Sequence, residues 1–185
     1  VIAGVGGQGI LLASDVLSEV CMNSGYDVKK SEVHGMSQRG GNVVSHVVFG
    51  DKVYSPLIGE NEADIILSFE KVEALRNLDF IKKDGVMIVN DIEIYPLPVA
   101  CGLAEYPKDP VGEIKKHIKN VIVINAEKKA AELGNIKVMN TVLLGILAKN
   151  VGLDKNLFID AIKRKVPQKT IDLNINAFEA GFEYK

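Results

Sequence analysis

The sequence has little cysteine. Cys21 and Cys101 are the two thiols among its 185 residues, and they lie far apart and form no C-x-x-C motif. Two isolated thiols do not supply the ligands of a zinc site or an iron–sulfur cluster, so we expect this chain to hold no metal by itself. Few thiols without a secretory signal favour the reducing cytoplasm as its location.

The sequence also lacks an excess of charge of either sign and a long apolar run. Its 22 basic and 24 acidic side chains give a formal net charge of −2, which argues against nucleic acid or an anionic membrane as a partner. The longest apolar run, residues 142–148, is too short to cross a bilayer. Because the sequence begins at Val1 inside a predicted strand, we expect a few residues to precede it.

Short apolar runs alternate with helical patterns along the first two thirds of the chain. "VIAGVGGQG" predicts a buried strand that enters a tight glycine turn, and a helical pattern then runs to Gly25. A second helical segment is predicted from about Glu70 to Lys82. Further strands are predicted in "YDVKKSEV", "NVVSHVVFG", "ADIILSF", "GVMIVND" and "NVIVINA". The pattern indicates an α/β fold, a three-layer α/β/α sandwich with a mixed, mostly parallel sheet and a Rossmann-like start.

The last third of the chain has a different character. Residues 95–110 contain four of the six prolines, so we expect neither a helix nor a central strand there, but a functional or interfacial excursion. From residue 136 the sequence is helical, and "VMNTVLLGILA" is apolar nearly all round, which predicts burial under other helices or another subunit. We therefore expect one domain over 1–185, with an α/β core (1–135) and a helical part (136–185).

Gly4, Gly6 and Gly9 form a G-x-G-x-x-G pattern between the first strand and the first helix. Such glycines permit a sharp turn and let backbone amides reach a phosphate at the helix N-terminus. The pattern alone leaves two interpretations open. The turn either packs strand against helix, or it receives an anion or cofactor group near Gly6, Gly7 and Gln8.

NAD(P) binding is disfavoured by the chain that follows. Glu32 has roughly the spacing of a ribose-binding acid, but only a loop fits between Val33 and Asn42. A parallel return needs a dozen or more residues, so the third strand is predicted to run antiparallel beside the second. A hairpin therefore replaces the crossover helix of a dinucleotide-binding half.

This hairpin is rich in glycine and carries polar side chains at the predicted ligand edge of the sheet. It is either a solvated turn or part of a site. His46, by contrast, is predicted to be a hydrogen-bonded core histidine, and His117 to lie on a solvated helix face. The polar residues of the hairpin are Glu32, His34, Gln38, Arg39 and Asn42, and its glycines are Gly35, Gly40 and Gly41.

Four stretches together resemble a known family: "GVGGQGILLAS", "SEVHGMSQRGGNVVSHVVFG", "NTVLLGILAK" and "NINAFEAGF". They are similar to the gamma-domain family of 2-oxoacid:ferredoxin oxidoreductases, and within it to the small, beta subunits that act with indolepyruvate. The resemblance covers residues 2–182 and is most specific in the first two stretches.

The resemblance implies a subunit of an enzyme that oxidatively decarboxylates a 2-oxoacid to an acyl-coenzyme A. Thiamine diphosphate and iron–sulfur clusters would lie on a large partner subunit, ferredoxin would take the electrons, and this chain alone would be inactive. Gly4, Gly6, Gly7, Gln8 and Gly9 would face the catalytic cavity. Glu32, His34, Gln38, Arg39, Gly40, Gly41 and Asn42 would close it against the partner.

His34 and Arg39 are the candidates for a catalytic role. Arg39 would pair with a carboxylate or a coenzyme A phosphate, and His34 would transfer protons near neutral pH. Structural roles at the interface stay open for both. Asn140 is expected either to bond backbone at an intersubunit contact or to be partly exposed without a special role. The alternative for the whole chain is a stand-alone nucleotide- or coenzyme A-binding regulatory module.

Overall fold

The structure is a computed structural model that describes residues 1–35 and 40–184. Strands and helices are interspersed up to the sixth strand, with the second, third and fourth strands in succession, and helices follow. The strands are β1 (Ile2–Val5), β2 (Asp27–His34), β3 (Asn42–Gly50), β4 (Ala63–Ser68), β5 (Ile81–Asn90) and β6 (Asn120–Ile124). The helices are α1 (Ile10–Asn23), α2 (Lys71–Arg76), α3 (Leu97–Ala100), α4 (Pro110–His117), α5 (Ala126–Glu132), α6 (Met139–Val151), α7 (Lys155–Lys165) and α8 (Ile171–Phe182).

The six strands form one mixed sheet in the order β2-β3-β1-β4-β5-β6. β1, β4, β5 and β6 pair in parallel, whereas β3 runs antiparallel to both β2 and β1. The predicted antiparallel return after the second strand is therefore confirmed, and its cause is the short connection from His34 to Asn42.

Helices cover both faces of the sheet. On one face α1, α5, α6, α7 and α8 share a large apolar core with the strands, centred on side chains such as Val142, Phe158 and Phe178, which are fully buried. On the other face α2 and α4 bury a smaller cluster that includes Ile66 and Ile114. This arrangement confirms the three-layer sandwich. The sequence predicted that the apolar helix α6 is buried either under other helices or under another subunit. In the structure, α6 is buried by other helices of the same chain.

Two predictions of local structure are wrong in part. Helix α2 ends at Arg76 and a 3-10 turn follows, so that Ile81 already begins β5, where the sequence predicted helix to about Lys82. The buried Asn77 ends the helix, because its side chain donates to the Glu73 carbonyl oxygen at 2.8 Å. In the proline-rich segment, Leu97–Ala100 forms one helical turn, since prolines are tolerated at the start of a helix.

His46 and His117 lie as predicted. His46 is 7% exposed, and its Nδ1 accepts a hydrogen bond from the Ile58 backbone at 3.1 Å. His117 is exposed on α4 beside Glu113. Within residues 1–35 and 40–184, three or more His, Cys, Asp or Glu side chains nowhere gather closely enough to hold a metal ion. Over the same residues, no helix has the length and apolar character needed to span a membrane.

Candidate functional site at the carboxyl edge of the sheet

The sheet has a topological switch point between β1 and β4. The helix after β1, α1, packs on one face of the sheet, whereas the helix after β4, α2, packs on the other. In open α/β sheets the loops diverge at such a point and leave a crevice outside the carboxyl ends of the strands. Here the glycine loop, residues 6–9, follows β1, and Phe69 and Glu70 follow β4.

The side chain of Gln8 bridges the loops after β1 and β4. Its Oε1 accepts from the Val5 backbone N–H at 2.7 Å, and its Nε2 donates to the Phe69 carbonyl oxygen at 2.9 Å. Asn90, at the end of β5, donates to the same carbonyl at 3.1 Å. The amide that the sequence offered to a ligand is thus bonded at both ends inside the chain, and it joins the loops after β1 and β4.

Glycine is favoured at the motif positions for different physical reasons. A Cβ on Gly4 would lie 2.7 Å from the Phe69 Cβ, and one on Gly9 would lie 2.5 Å from the Asn140 Nδ2. Gly9 also has a φ of 89°, which disfavours other residues. Gly7 has a φ of 104°, but within the described part of the chain only its neighbours lie within 4 Å of its Cβ position. Internal packing therefore explains Gly4 and Gly9, and Gly7 is the glycine that faces open space.

The glycine loop and the base of the hairpin are bonded to each other. The Gly6 N–H donates to the Gly41 carbonyl oxygen at 2.8 Å, and the Gly40 N–H donates to the Gly6 carbonyl oxygen at 3.2 Å. Gly40 has a φ of 74°, which only glycine adopts freely. The two elements that the sequence singled out thus form one continuous edge at the carboxyl end of β1.

His34 ends β2 and is exposed at this edge. It lies opposite Val43 of β3, which itself pairs with Gly4 of β1. Two strand spacings, about 10 Å, therefore separate its backbone from that of Gly4. Its Nδ1 lies 3.3 Å from the Gly35 carbonyl oxygen. The other two tip residues named from the sequence, Gln38 and Arg39, lie outside the described residues.

Glu32 lies further back along β2, away from the glycine loop. It pairs with Ser45 in the middle of β3, and its carboxylate contacts Lys30 Nζ at 2.6 Å. Lys30 also pairs with Asp15 of α1. The structure therefore places Glu32 in an ion-pair network between the edge strand of the hairpin and α1, and its role in closing the cavity stays a prediction.

Asn42 and Glu73 form a pair that sequence reasoning missed. Asn42 begins β3, and its Nδ2 donates to Oε2 of Glu73, a side chain that is only 3% exposed. The other carboxylate oxygen accepts from Arg76 at 3.2 Å. Burial raises the pKa of Glu73, although Arg76 and Asn42 oppose this effect. The available signal was the E-x-x-E spacing directly after a predicted strand, which resembles a helix-capping pattern.

Glu70, the other acid of this pattern, ties down the proline-rich segment. It is 1% exposed, caps α2 by accepting from the Glu73 N–H at 2.9 Å, and accepts from the Ile94 N–H at 3.3 Å. The Tyr106 hydroxyl donates to it as well, and burial together with this acid raises the pKa of Tyr106. The segment is thereby held at the same edge of the sheet as the glycine loop.

Asn140 belongs to the same edge. It is half-buried near the start of α6, with its amide over Gly9, and its Oδ1 accepts from the Thr141 hydroxyl at 3.3 Å. Its partial exposure agrees with one of the two predictions, and the intersubunit contact stays a prediction. The side chain packs against the glycine loop of its own chain.

The fold and this edge define a class of protein that is already known. Residues 1–184 match the family described as pyruvate ferredoxin/flavodoxin oxidoreductase, and the chain belongs to that family. The resemblance inferred from the sequence, to subunits of 2-oxoacid:ferredoxin oxidoreductases, is confirmed by this membership.

Two relatives are similar over nearly the whole chain, and one solved structure shares the fold. The chain is similar to the indolepyruvate oxidoreductase subunit IorB of Thermococcus kodakarensis, with 45% identity over 98% of this chain and 92% of the relative. The same subunit of Pyrococcus horikoshii is 44% identical over the same shares. The gamma subunit of a keto/oxoacid ferredoxin oxidoreductase from Geobacter sulfurreducens has the same fold, with a TM-score of 0.72 at 23% identity, over 98% of this chain and 94% of that one.

Proposed function

We propose that this chain is the small subunit of an indolepyruvate:ferredoxin oxidoreductase, in which it completes the active-site cavity of a larger subunit. The observation that carries the proposal is the bonded edge of glycine loop and hairpin, exposed at the carboxyl ends of the strands. The similarity to subunits named for indolepyruvate supports this substrate and related arylpyruvates.

The overall reaction converts a 2-oxoacid and coenzyme A to carbon dioxide and an acyl-coenzyme A, and two electrons pass to ferredoxin. Thiamine diphosphate and iron–sulfur clusters supply this chemistry. The residues of this chain do not fit a cluster, because Cys21 is buried and burial raises the pKa of its thiol to about 12, while Cys101 is exposed elsewhere. We therefore assign both cofactors to the larger subunit, and a cytoplasmic location fits an enzyme of this kind.

The exposed edge gives this chain three means of acting on the cavity. Gly7 offers a surface without a side chain, so that another backbone or a ligand can approach closely. His34, exposed at the end of β2, would exchange protons with groups in the cavity. Arg39, between the described ends of the hairpin, supplies a planar cation suited to a carboxylate or to a phosphate of coenzyme A.

A stand-alone nucleotide- or coenzyme A-binding module is the weaker alternative. Gln8 fills the crevice where a dinucleotide would lie, and Asn140 covers Gly9 at the start of α1. A nucleotide would have to displace both amides.

Co-expression with a larger subunit of this family separates the two functions. We expect a brown, oxygen-sensitive complex that reduces a viologen dye when supplied with indolepyruvate and coenzyme A. If the chain stays monomeric beside that subunit and binds a nucleotide tightly, the module is the correct function.

The hairpin is tested by Arg39→Ala. In the complex we expect turnover or the affinity for coenzyme A to fall by about tenfold to a hundredfold, the usual effect of losing a charge-assisted hydrogen bond. The melting temperature of the isolated chain should not change. Arg164→Ala is the matched control, because it removes only a surface ion pair with Glu19. Equal activity of the two variants would show the hairpin tip to be ordinary surface.

A further inference from the structure

Glu73 is a buried carboxylate that connects two layers of the fold. It projects from the first turn of α2 and meets Asn42 at the beginning of β3, with the half-exposed Arg76 as its counter-ion. Glu70, on the same turn, is the other charged group that acts on it. Taking a carboxylate out of water costs free energy. A glutamine at this position would offer one acceptor oxygen to two donors, Asn42 and Arg76, whereas the carboxylate accepts from both. These two contacts, and not a net gain in stability, are the reason to look for a role of Glu73.

The residue that Glu73 holds lies at the junction of the site. Asn42 pairs with Val5, the last residue before the glycine loop, and its carbonyl oxygen accepts from the Gly35 N–H at 3.4 Å, across the base of the hairpin. The carbonyl oxygen of the preceding residue, Gly41, accepts from the Gly6 N–H. A shift of Asn42 would thus move the glycine loop and the hairpin relative to each other.

We propose that Glu73 is a positioning residue that fixes the base of the hairpin against the glycine loop, and that this preformed edge is what the larger subunit recognises. The second half rests on the proposed function, whereas the first concerns this chain alone. A charge-assisted hydrogen bond from a rigid helix turn orients the Asn42 amide more strictly than water does.

Amide hydrogen exchange on the isolated chain tests the first half. Asn42→Asp places a second carboxylate against Glu73, and we expect exchange at Gly6 and Gly40 to rise by about tenfold or more, with Ile88 in the central strand β5 unchanged. In the double variant with Glu73→Gln, the glutamine amide can donate to the new aspartate, so that donor and acceptor have changed places. Protection of Gly6 and Gly40 from exchange should therefore return. Asn156→Asp, at an exposed position of α7, is the matched control and should leave all three amides unchanged.

Two results would overturn the assignment. Unchanged exchange at Gly6 and Gly40 would show that Asn42 does not fix the edge. An equal rise at all three amides would show that the pair only contributes to global stability. Should Asn42→Asp fail to fold, Glu73→Gln alone is measured in the same way, and the same two results decide.

Assembly with the larger subunit tests the second half. We expect the affinity of Asn42→Asp for that subunit to fall by about tenfold and to recover in the double variant. If exchange changes as described and affinity does not, the edge is positioned but is not the recognised surface. If the unaltered chain does not assemble at all, the proposed function fails, and the exchange result still stands.

Discussion

At the scale of single residues, the glycines of the loop show that one motif can arise from unlike causes. Gly9 combines a positive φ with the Asn140 amide over its Cα, whereas Gly7 has a positive φ and free space. A new methyl group must therefore overcome strain and overlap at Gly9 but strain alone at Gly7.

This difference predicts unequal losses of stability. Gly9→Ala should lower the free energy of unfolding by about 2 to 4 kcal/mol, and Gly7→Ala by about 1 kcal/mol. Equilibrium urea denaturation measures both. Asn140→Ala, added to Gly9→Ala, removes the amide that overlaps the new methyl group. The double variant should therefore lose less free energy of unfolding than the sum of the losses in the two single variants. Equal losses at the two glycines would contradict this account.

The pKa of Glu73 predicts a second residue-level effect. Burial holds this pKa above its ordinary value of 4.5, so the folded chain keeps a proton at pH values where the unfolded chain has lost it. The contribution of Glu73 to the free energy of unfolding is then complete below pH 4.5 and falls as the pH rises to the raised value. The free energy of unfolding of the parent chain, minus that of the Glu73→Gln variant, should therefore decrease as the pH rises from 4.5 to the raised pKa.

Urea denaturation across this pH range measures the difference. Glu113→Gln is the control of opposite sign, because Lys116 and His117 lower the pKa of the exposed Glu113. With that variant the difference should increase as the pH rises towards 4.5 and level off above it, so the series also includes pH values below 4.5. A flat or rising difference for Glu73→Gln would show that the carboxylate is not desolvated in solution.

Sequence reasoning at this scale found the glycines and hairpin residues but not their partners. Gly4, Gly6 and Gly9 lie within one short stretch, so their spacing can be recognised in the sequence. The partner of Gln8 is Phe69, on the loop after another strand, and the partner of Asn42 is Glu73 across two layers. Such contacts depend on strand order, which no local pattern contains, and for this reason the sequence leaves open whether Gln8 meets a ligand or its own chain.

At the scale of elements, the hairpin was predictable and the end of α2 was not. The direction of β3 follows from the length of the connection before it, which can be counted in the sequence. The change from helix to strand between Arg76 and Ile81 depends on the side chain of Asn77 reaching a carbonyl in a buried position. The residues that follow, "IKKD", carry no apolar alternation that would have indicated the start of β5.

The crossing of α6 and α8 is the element contact most sensitive to substitution. A Cβ on Gly145 would overlap the Phe178 carbonyl oxygen, and one on Gly181 would overlap the Val142 carbonyl oxygen. Because both oxygens belong to the backbone, neither can rotate away from the new methyl group. The two helices must therefore separate if either glycine gains a side chain.

Gly145→Ala should accordingly lower the free energy of unfolding by about 3 kcal/mol or more. Gly112→Ala in α4 is the matched control, because its new methyl meets only the carboxylate of Asp109, an exposed capping side chain that can move at a cost of about 1 kcal/mol. Thermal unfolding followed by circular dichroism distinguishes the two. Similar melting temperatures for both variants would mean that the helices tolerate a wider crossing.

At the scale of the whole molecule, one apolar core joins the first helix to the last. Cys21 of α1 and Phe178 of α8 belong to the same buried cluster, although the first lies in the α/β core (1–135) and the second in the helical part (136–185) of the single domain that the sequence predicts. A core shared in this way couples the two parts energetically, since α1 cannot keep its buried face if α7 and α8 leave.

Labelling of the Cys21 thiol tests this coupling in a Cys101→Ser background. The thiol is fully buried, and burial raises its pKa to about 12, so it reacts only when α1 opens. Phe178→Ala leaves a cavity in α8 that costs about 3 to 5 kcal/mol, and under conditions of fast reclosing we expect labelling of Cys21 to accelerate by about a hundredfold or more. Leu103→Ala, at a side chain that is 83% exposed, should leave the rate unchanged. If Phe178→Ala loses helical signal while Cys21 stays protected, the helical part unfolds independently, and the chain has two stability units where we describe one.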